Sequence, residues 1–106
     1  MAYKVTLVVP KCGNNGADGS GVLRAVCKTL AREFGGYTCY PLGRGGWLDD
    51  DGNLIEEDNY VVIATTNRPK AQVVRVAQTV GQYIKTALAQ QAVYCAIEPD
   101  VDVMFI

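Results

Sequence analysis

The sequence predicts an α+β fold in which a four-stranded antiparallel sheet carries two helices on one face. In several short segments apolar residues alternate with polar ones, and in two longer segments they recur every three or four residues. These segments follow one another in the order β-α-β-β-α-β. The 106 residues, 49% of them hydrophobic and 20% charged, fit a single domain over residues 1–106.

The first strand is followed by a glycine-rich loop. Residues 3–9 alternate as a strand that ends at Pro10, and residues 13–21 form the loop. Asp18 or Ser20 can cap the helix that follows.

The first helix begins after the loop, since apolar residues recur at helical spacing from Val22 to Phe34. The pair Gly35-Gly36 ends it, because glycine enters the left-handed cap conformation without penalty. A basic residue recurs every four positions along the opposite face, as a stripe of Arg24, Lys28 and Arg32. We interpret this stripe as a solvated helix face, with an acidic protein partner as the alternative.

The middle of the chain predicts two strands joined by a hairpin. Residues 37–42 form the second strand, and the Asp-Gly pair within residues 49–53 is typical of a hairpin turn. β-Branched and apolar residues predict a third, buried strand over residues 59–66. The unusual segment Gly43-Arg44-Gly45-Gly46-Trp47 then lies at the tip of the strand pair.

The remaining segments complete the arrangement. Pro69 opens a second amphipathic helix that extends to Leu88, and residues 92–97 form a fourth strand. Alternation over residues 101–106 predicts an additional C-terminal strand. This order is the split-βαβ, or ferredoxin-like, fold, which places both helices on one face of the sheet.

The other face of such a sheet has no cover within the chain. Side chains that alternate onto it, such as Tyr3 or Val5 and Tyr60 or Val61, are too apolar to face water. The apolar ending Met104-Phe105-Ile106 points the same way. We therefore expect a second subunit to cover this face.

Composition argues against several kinds of function. Ten Lys and Arg against eleven Asp and Glu give a net charge of −1, so we expect no nucleic-acid partner. The absence of histidine removes Ser-His-Asp and Cys-His catalysis and His-ligated zinc. The four cysteines form no CxxC pair, so we expect no metal site. We also expect no cofactor. The cysteine thiols should be buried, except that of Cys12. Neither a membrane span nor a signal peptide is recognisable, which favours a cytoplasmic protein without membrane contact.

The glycine-rich loop allows a phosphate-binding interpretation, since such loops bring backbone N–H groups to an anion at a helix start. Arg24 stands where the dinucleotide fingerprint has its third glycine, and the loop has no Lys-Ser/Thr pair of a P-loop. A connector is the simpler interpretation.

The hairpin tip and the acids that follow it supply candidate ligand-binding residues. Arg44 offers a planar fork for a phosphate or carboxylate, and Trp47 or Tyr60 offers a face for stacking. Glu56 or Glu57 can meet an amine or a sulfonium. Alternatively, the glycines form a bulge with Trp47 anchoring a neighbouring subunit, and the acids are a solvated strand entry.

A second candidate group lies at the start of the second helix. Arg68, beside Thr65 and Thr66, can complete an anion site there.

The middle third of the chain resembles CutA-type and PII-type proteins. The resemblance rests on Trp47 before a turn, on the cluster Glu56-Glu57-Asp58, and on a strand that ends in Ala64-Thr65-Thr66. It implies a trimer whose sheets pack together and, from the PII group, nucleotide binding between subunits.

A second resemblance covers nearly the whole chain. Residues 5–10, residues 34–38, Gly46-Trp47 and Gly52 are similar to small bacteriophage proteins related to the phage S-adenosylmethionine lyases. The resemblance implies a trimer with ligands between subunits. Lyase-type members carry an acidic residue within the third strand, where this chain has Val61-Val62-Ile63-Ala64.

Three functional hypotheses follow. The first is a homotrimer that binds a nucleotide-like or S-adenosylmethionine-like ligand, containing adenosine, between subunits. The second is a lyase that releases methylthioadenosine and homoserine lactone from S-adenosylmethionine, with Glu57 and Tyr60 as catalytic candidates. The third is a phage inhibitor or anti-defence protein that acts in the host cytoplasm through the basic helix face or an exposed sheet edge.

Overall fold

The computed structural model describes residues 1–100, 102–104 and 106. Its elements follow the expected order, and the α+β, ferredoxin-like fold is confirmed: β1 (Ala2–Pro10), α1 (Gly19–Phe34), β2 (Thr38–Leu48), β3 (Leu54–Thr66), α2 (Lys70–Ala87) and β4 (Cys95–Asp100). The strands form one antiparallel sheet in the order β2-β3-β1-β4. Both crossover connections contain a helix, as the split-βαβ arrangement requires.

The hydrophobic core lies between the helices and one face of the sheet. On β1 the alternating residues Val5, Leu7 and Val9 are fully buried, and Val62 and Ala64 of β3 lie beside them. The helices supply the rest of the core from one stripe each: Val22, Val26, Leu30 and Phe34 from α1, and Val73, Ala77, Val80 and Ile84 from α2.

The second face of the sheet is apolar, as expected, and no element of the described residues covers it. Strand alternation places Val8 and Val61 on it as a cross-strand pair, and Thr6 faces Ile63 in the same way. These side chains are only partly buried. Of the residues predicted for this face, Val61 lies there; Val5 is buried in the core, and Tyr3 and Tyr60 pack against the core from the helix side.

The hairpin is much longer than the sequence indicates. β2 runs to Leu48 instead of residue 42, and β3 begins at Leu54 instead of residue 59. The glycine segment therefore lies within a strand and not at a tip, because its residues pair with the acids of β3: Arg44 with Asp58, Gly45 with Glu57 and Gly46 with Glu56. The register shifts between Tyr40 and Gly43, so the bulge lies at Pro41 and Leu42, just before the glycines that were expected to form one.

Residues 43–58 form a two-stranded arm. The last residue of β1, Pro10, pairs with Asn59, and the backbone N–H of the next residue, Lys11, donates to the carbonyl oxygen of Asp58 at 3.1 Å. Before Asp58, β2 is the only strand of the described residues that pairs with β3. We call residues 43–58 the hairpin arm.

The C-terminal part differs from expectation. β4 begins at Cys95 rather than residue 92, and it continues through Glu98 and Pro99 to Asp100 in register with β1. The additional strand was expected over residues 101–106. Val101 and Phe105 lie outside the described residues, and residues 102–104 and 106 are not part of a strand.

The glycine-rich loop is fixed to the end of α2. The side-chain amide of Asn14 donates to the carbonyl oxygen of Ala89 at 2.9 Å, and that of Asn15 donates to Ala87 at 3.2 Å. Asp18 caps α1 by accepting from the backbone N–H of Ser20 at 3.0 Å. Gly19 is needed for packing, since a Cβ there would overlap the carbonyl oxygen of Pro10.

Neither α1 nor α2, the helices of the described residues, combines the length and the hydropathy of a membrane-spanning helix.

Candidate functional site

A cavity of about 610 Å³ lies where the hairpin arm joins the body of the protein. We call it the arm-base cavity. The arm contributes Gly45, Gly46, Trp47, Ile55 and Glu57, and the side chains of Trp47, Ile55 and Glu57 alternate onto the uncovered face of the sheet. The body closes the cavity with the end of β1, with Asn14, and with the segment that leads into β4: Val8, Pro10, Asn59 and residues 90–94.

Asn59 is a buried amide in the wall of this cavity. Asn59 is 7% exposed, and its Oδ1 has no hydrogen-bond partner among the described residues. A buried acceptor left without a donor costs about 1–3 kcal/mol. Gly43 lies directly across the ladder from it with Gly45 close by, and a Cβ on Gly43 would overlap the Oδ1 atom. The glycines therefore make room for the Asn59 side chain beneath the arm.

Trp47 and Glu57 give the arm-base cavity its chemical character. Trp47 is 43% exposed, so its ring has a face available to a ligand, and Glu57 is half-buried. An aromatic face, a carboxylate and amide groups suit a ligand that combines a planar ring with an amine or another cation. The sequence identified Trp47 and Glu57 but missed Asn59. The available signal was a polar residue directly before the apolar run of β3, opposite two glycines.

Arg44 lies on the opposite face of the arm. Its guanidinium donates to Oε2 of Glu56 at 2.6 Å and to Oδ1 of Asp58 at 2.9 Å. The hydrogen bond to Glu56, followed by that to Asp58, raises the pKa of Arg44 above its usual range. Arg44 and Glu56 are thus partners of each other, and an anionic ligand would have to replace carboxylates already bound to the guanidinium.

A second cleft, of about 670 Å³, lies at the other end of β3. It is lined by the end of α1 and by residues 63–68, which include Thr65, Thr66 and Arg68. The hydroxyl of Thr66 accepts from the backbone N–H of Arg68 at 3.1 Å and is buried, whereas Arg68 itself is exposed. The structure therefore brings these three predicted residues together.

The two groups of predicted site residues are far apart within one chain. Glu57 and Thr66 are separated by nine residues of one strand, or about 30 Å at the usual rise. Tyr60 and Glu57 lie on opposite faces of β3, since strand side chains alternate. Tyr60 packs against the core, and the ammonium of Lys11 lies 5.1 Å from its ring centroid. One chain alone thus does not assemble a site from all the predicted residues.

The loop before α1 and the cysteines add little to the site. The side-chain donors of Asn14 and Asn15 are used on α2, and the carboxylate of Asp18 occupies the start of α1, so these groups favour a structural role over phosphate binding. Cys12 is exposed as expected, but Cys95 is exposed too. Burial raises the pKa of the Cys27 thiol, which disfavours the reactive thiolate. In the described part of the chain, no cluster of acids and cysteines is placed to hold a metal ion.

The chain has a ferredoxin-like fold, and several solved structures share this fold at low sequence identity. The CutA1 divalent cation tolerance protein from Thermus thermophilus has a TM-score of 0.72 at 15% identity, covering 98% of this chain and 88% of that one. CutA from Archaeoglobus fulgidus has a TM-score of 0.69 at 10% identity, with the same coverage. The phage SAM lyase in complex with S-methyl-5'-thioadenosine has a TM-score of 0.65 at 15% identity, covering 92% of this chain and 80% of that one.

These similarities confirm, at the level of the fold, the resemblance to both the CutA group and the phage lyases. No protein-family model and no curated protein sequence matches the chain.

Proposed function

We propose that the protein is a homotrimer that binds a nucleotide-like or S-adenosylmethionine-like ligand between its subunits. The observation that carries the proposal is the arm-base cavity, which is lined by Trp47, Glu57 and Asn59, the last with an unpartnered amide oxygen. In this proposal Trp47 stacks on the adenine ring, and Glu57 faces an amine or a sulfonium. A donor from a ligand or a neighbouring subunit would remove the cost of the buried oxygen once the Asn59 side chain turns that oxygen toward the cavity.

The uncovered face of the sheet supports association. Val8, Val61 and Ile63 form an apolar surface that a monomer leaves in contact with water. The hairpin arm also favours association, because an isolated two-stranded ribbon is only marginally stable in water. Leu42 at its base is 88% exposed, and Leu48 and Leu54 at its end are 67% and 61% exposed. Neighbouring subunits would cover both surfaces.

Association also offers a way to complete the ligand site. The cleft at Thr65, Thr66 and Arg68 and the arm-base cavity lie at opposite ends of β3 in one chain. In the proposed trimer the cleft of one subunit faces the arm-base cavity of the next, so that Arg68 binds a phosphate or carboxylate of the ligand whose ring lies on Trp47. Arg44 and Glu56 serve this site only if the ligand's anion replaces Glu56 on the guanidinium.

Native mass spectrometry of freshly purified protein tests both parts of the proposal. We expect a trimer, with added mass at each site if the ligand survives purification. Calorimetric titration with S-adenosylmethionine, methylthioadenosine and ATP then measures affinity for the wild type and for Trp47→Leu. Tyr83→Leu removes another exposed aromatic ring, on α2 and away from the cavity, and is the matched control. A bare monomer, or equal affinities for the two variants, would contradict the proposal.

The second candidate function is lyase activity, which is favoured by the structural similarity to the phage SAM lyase. In such a reaction the substrate's own carboxylate attacks the γ-carbon, a C–O bond forms, and the C–S bond breaks with its electron pair passing to sulfur. The products are homoserine lactone and methylthioadenosine, and the protein needs only to fold the substrate and stabilise charge. Glu57 can hold the sulfonium, whereas Tyr60 could take part only through a change of position or from another subunit.

Incubation with S-adenosylmethionine distinguishes turnover from binding. Accumulation of methylthioadenosine that is lost in Glu57→Gln would support the lyase. Binding without methylthioadenosine would leave the protein as a ligand-binding protein.

A further inference from the structure

The net charge is near zero, but the basic and acidic residues are concentrated in different parts of the fold. The two helices contain six of the ten basic residues and only one of the eleven acids, Glu33, which gives the helical layer a charge of +5. The hairpin arm contains six acids and one base, Arg44, which gives it a charge of −5. Charges more than about 10 Å apart are largely screened at 0.1 M ionic strength. A macromolecule bound to the helices would therefore interact with the charges of the helices and not with the net charge of the whole protein.

The basic side chains of the helices are all exposed: Arg24, Lys28 and Arg32 on α1, and Lys70, Arg75 and Lys85 on α2. In the described part of the chain none of them forms a salt bridge, since both salt bridges found there belong to Arg44. We call these six residues the basic helix face.

The fold places these six residues on two antiparallel helices. β1 and β3 are antiparallel, and each helix runs back along the sheet, so α1 and α2 run in opposite directions. Arg24 then lies at the same end of the layer as Lys85, and Arg32 lies at the end that holds Lys70. Within α1 the charges recur every four residues, or about 6 Å, and packed helices lie about 8–10 Å apart.

The polar residues beside the charges indicate which kind of polyanion fits. Hydroxyl and amide side chains are exposed on α2, namely Gln78, Thr79, Gln82 and Thr86. The hydroxyl of Thr79 donates to the carbonyl of Arg75, and one N–H of Gln82 donates to Thr86. The amide of Gln78, the second N–H of Gln82 and the hydroxyl of Thr86 remain as donors of the kind that bind phosphate groups. Tyr83 is the single large apolar side chain of the helices that is strongly exposed within the described residues. A protein interface normally needs a buried apolar centre, which this face does not offer. Binding to a phosphate backbone needs none.

We propose that the basic helix face binds the phosphate backbone of double-stranded nucleic acid, without sequence preference. This function is separate from the small-molecule site, because the helices lie on the opposite face of the sheet from the arm-base cavity. The proposal replaces the expectation that the protein has no nucleic-acid partner. That expectation was drawn from the net charge and did not consider where the charges lie.

Fluorescence anisotropy with two labelled DNA duplexes of unrelated sequence tests the proposal. The titration uses the full-length protein at salt concentrations between about 50 and 200 mM. We expect similar affinities for the two duplexes and a steep loss of affinity with salt, at most about 5 logarithmic units per logarithmic unit of salt if all six residues contact phosphates.

Two charge-matched variants locate the contact. Lys28→Gln/Lys85→Gln removes one lysine from each helix, and Lys4→Gln/Lys11→Gln removes two lysines from β1 and the residue after it. The first pair should lower the salt slope by about 2, and the second should leave it unchanged. The absence of an anisotropy change at the lowest salt concentration, or equal losses in the two variants, would overturn the proposal. Displacement of DNA by polyglutamate of equal charge concentration would show a site for acidic protein instead, which also overturns it.

Discussion

Replacing Gly43 with alanine should destabilise the protein through Asn59. A Cβ at this position would overlap Oδ1 of Asn59, and it would lie 3.0 Å from the backbone oxygen of the same residue and 3.1 Å from Cγ2 of Val61. The amide can rotate away, but the backbone oxygen belongs to the β3 ladder and can move only by disturbing the pairing of β2. Overpacking of this kind costs about 1–3 kcal/mol.

Thermal unfolding followed by circular dichroism measures the effect. For a domain of this size the cost corresponds to a melting temperature about 4–20 °C lower. Gly46→Ala is the matched control, since its Cβ would lie 3.3 Å from the flexible end of Leu54 and 3.6 Å from the nearest backbone atom. Because glycine is unfavourable within a strand, Gly46→Ala should be neutral or more stable by up to about 1 kcal/mol.

A double variant tests the stated cause. Asn59→Ala removes the overlapping oxygen, so Gly43→Ala should cost less in that background than in the wild type. Equal melting temperatures for Gly43→Ala and Gly46→Ala would refute the reasoning. A cost of Gly43→Ala that is the same with and without the Asn59 side chain would refute the role of Asn59.

Three further predictions concern the loop and the arm. Asn14→Ala should lower the free energy of unfolding by about 1 kcal/mol, because the carbonyl of Ala89 loses its donor. Chemical denaturation measures this loss, with Asn67→Ala, a substitution at another exposed asparagine, as the control. Hydrogen bonds from Ser20 lower the pKa of Asp18 in the folded protein. The Asp18 carboxylate therefore stabilises the fold at pH values above its unfolded pKa, and this stabilisation is lost as the pH falls through the lower folded pKa. The difference in melting temperature between the wild type and Asp18→Asn should shrink as the pH falls through this range. Arg44→Gln should leave the melting temperature nearly unchanged, because its salt bridges are exposed, and a large decrease in the isolated protein would contradict this.

The order of elements was predictable because each one depends on local pattern. The apolar spacing of α1 and its cap at Asp18 follow from nearby residues, and so does the buried alternation of β1. The ends of β2 and β3 were not predictable in this way. Three glycines and three acids are poor strand formers, and they are paired here because the two segments lie across from each other.

The candidate site was predictable by residue type but not by arrangement. Trp47 and Glu57 do share a cavity, because both alternate onto the same face of the arm. Arg44 does not join them, since the bulge and the register place it on the opposite face, against Glu56. The importance of Asn59 depends on its burial beneath Gly43, which only the folded chain reveals.

Both edges of the sheet contain a proline, and this limits how copies of the protein can join. Pro41 lies at the bulge of β2, and Pro99 lies within β4. A proline has no N–H to offer an incoming strand, and a bulge interrupts the regular edge that such a strand would need. Edge-to-edge growth into fibrils is therefore disfavoured at both edges of the sheet. The uncovered face of the sheet is then the surface through which a closed and finite assembly can form.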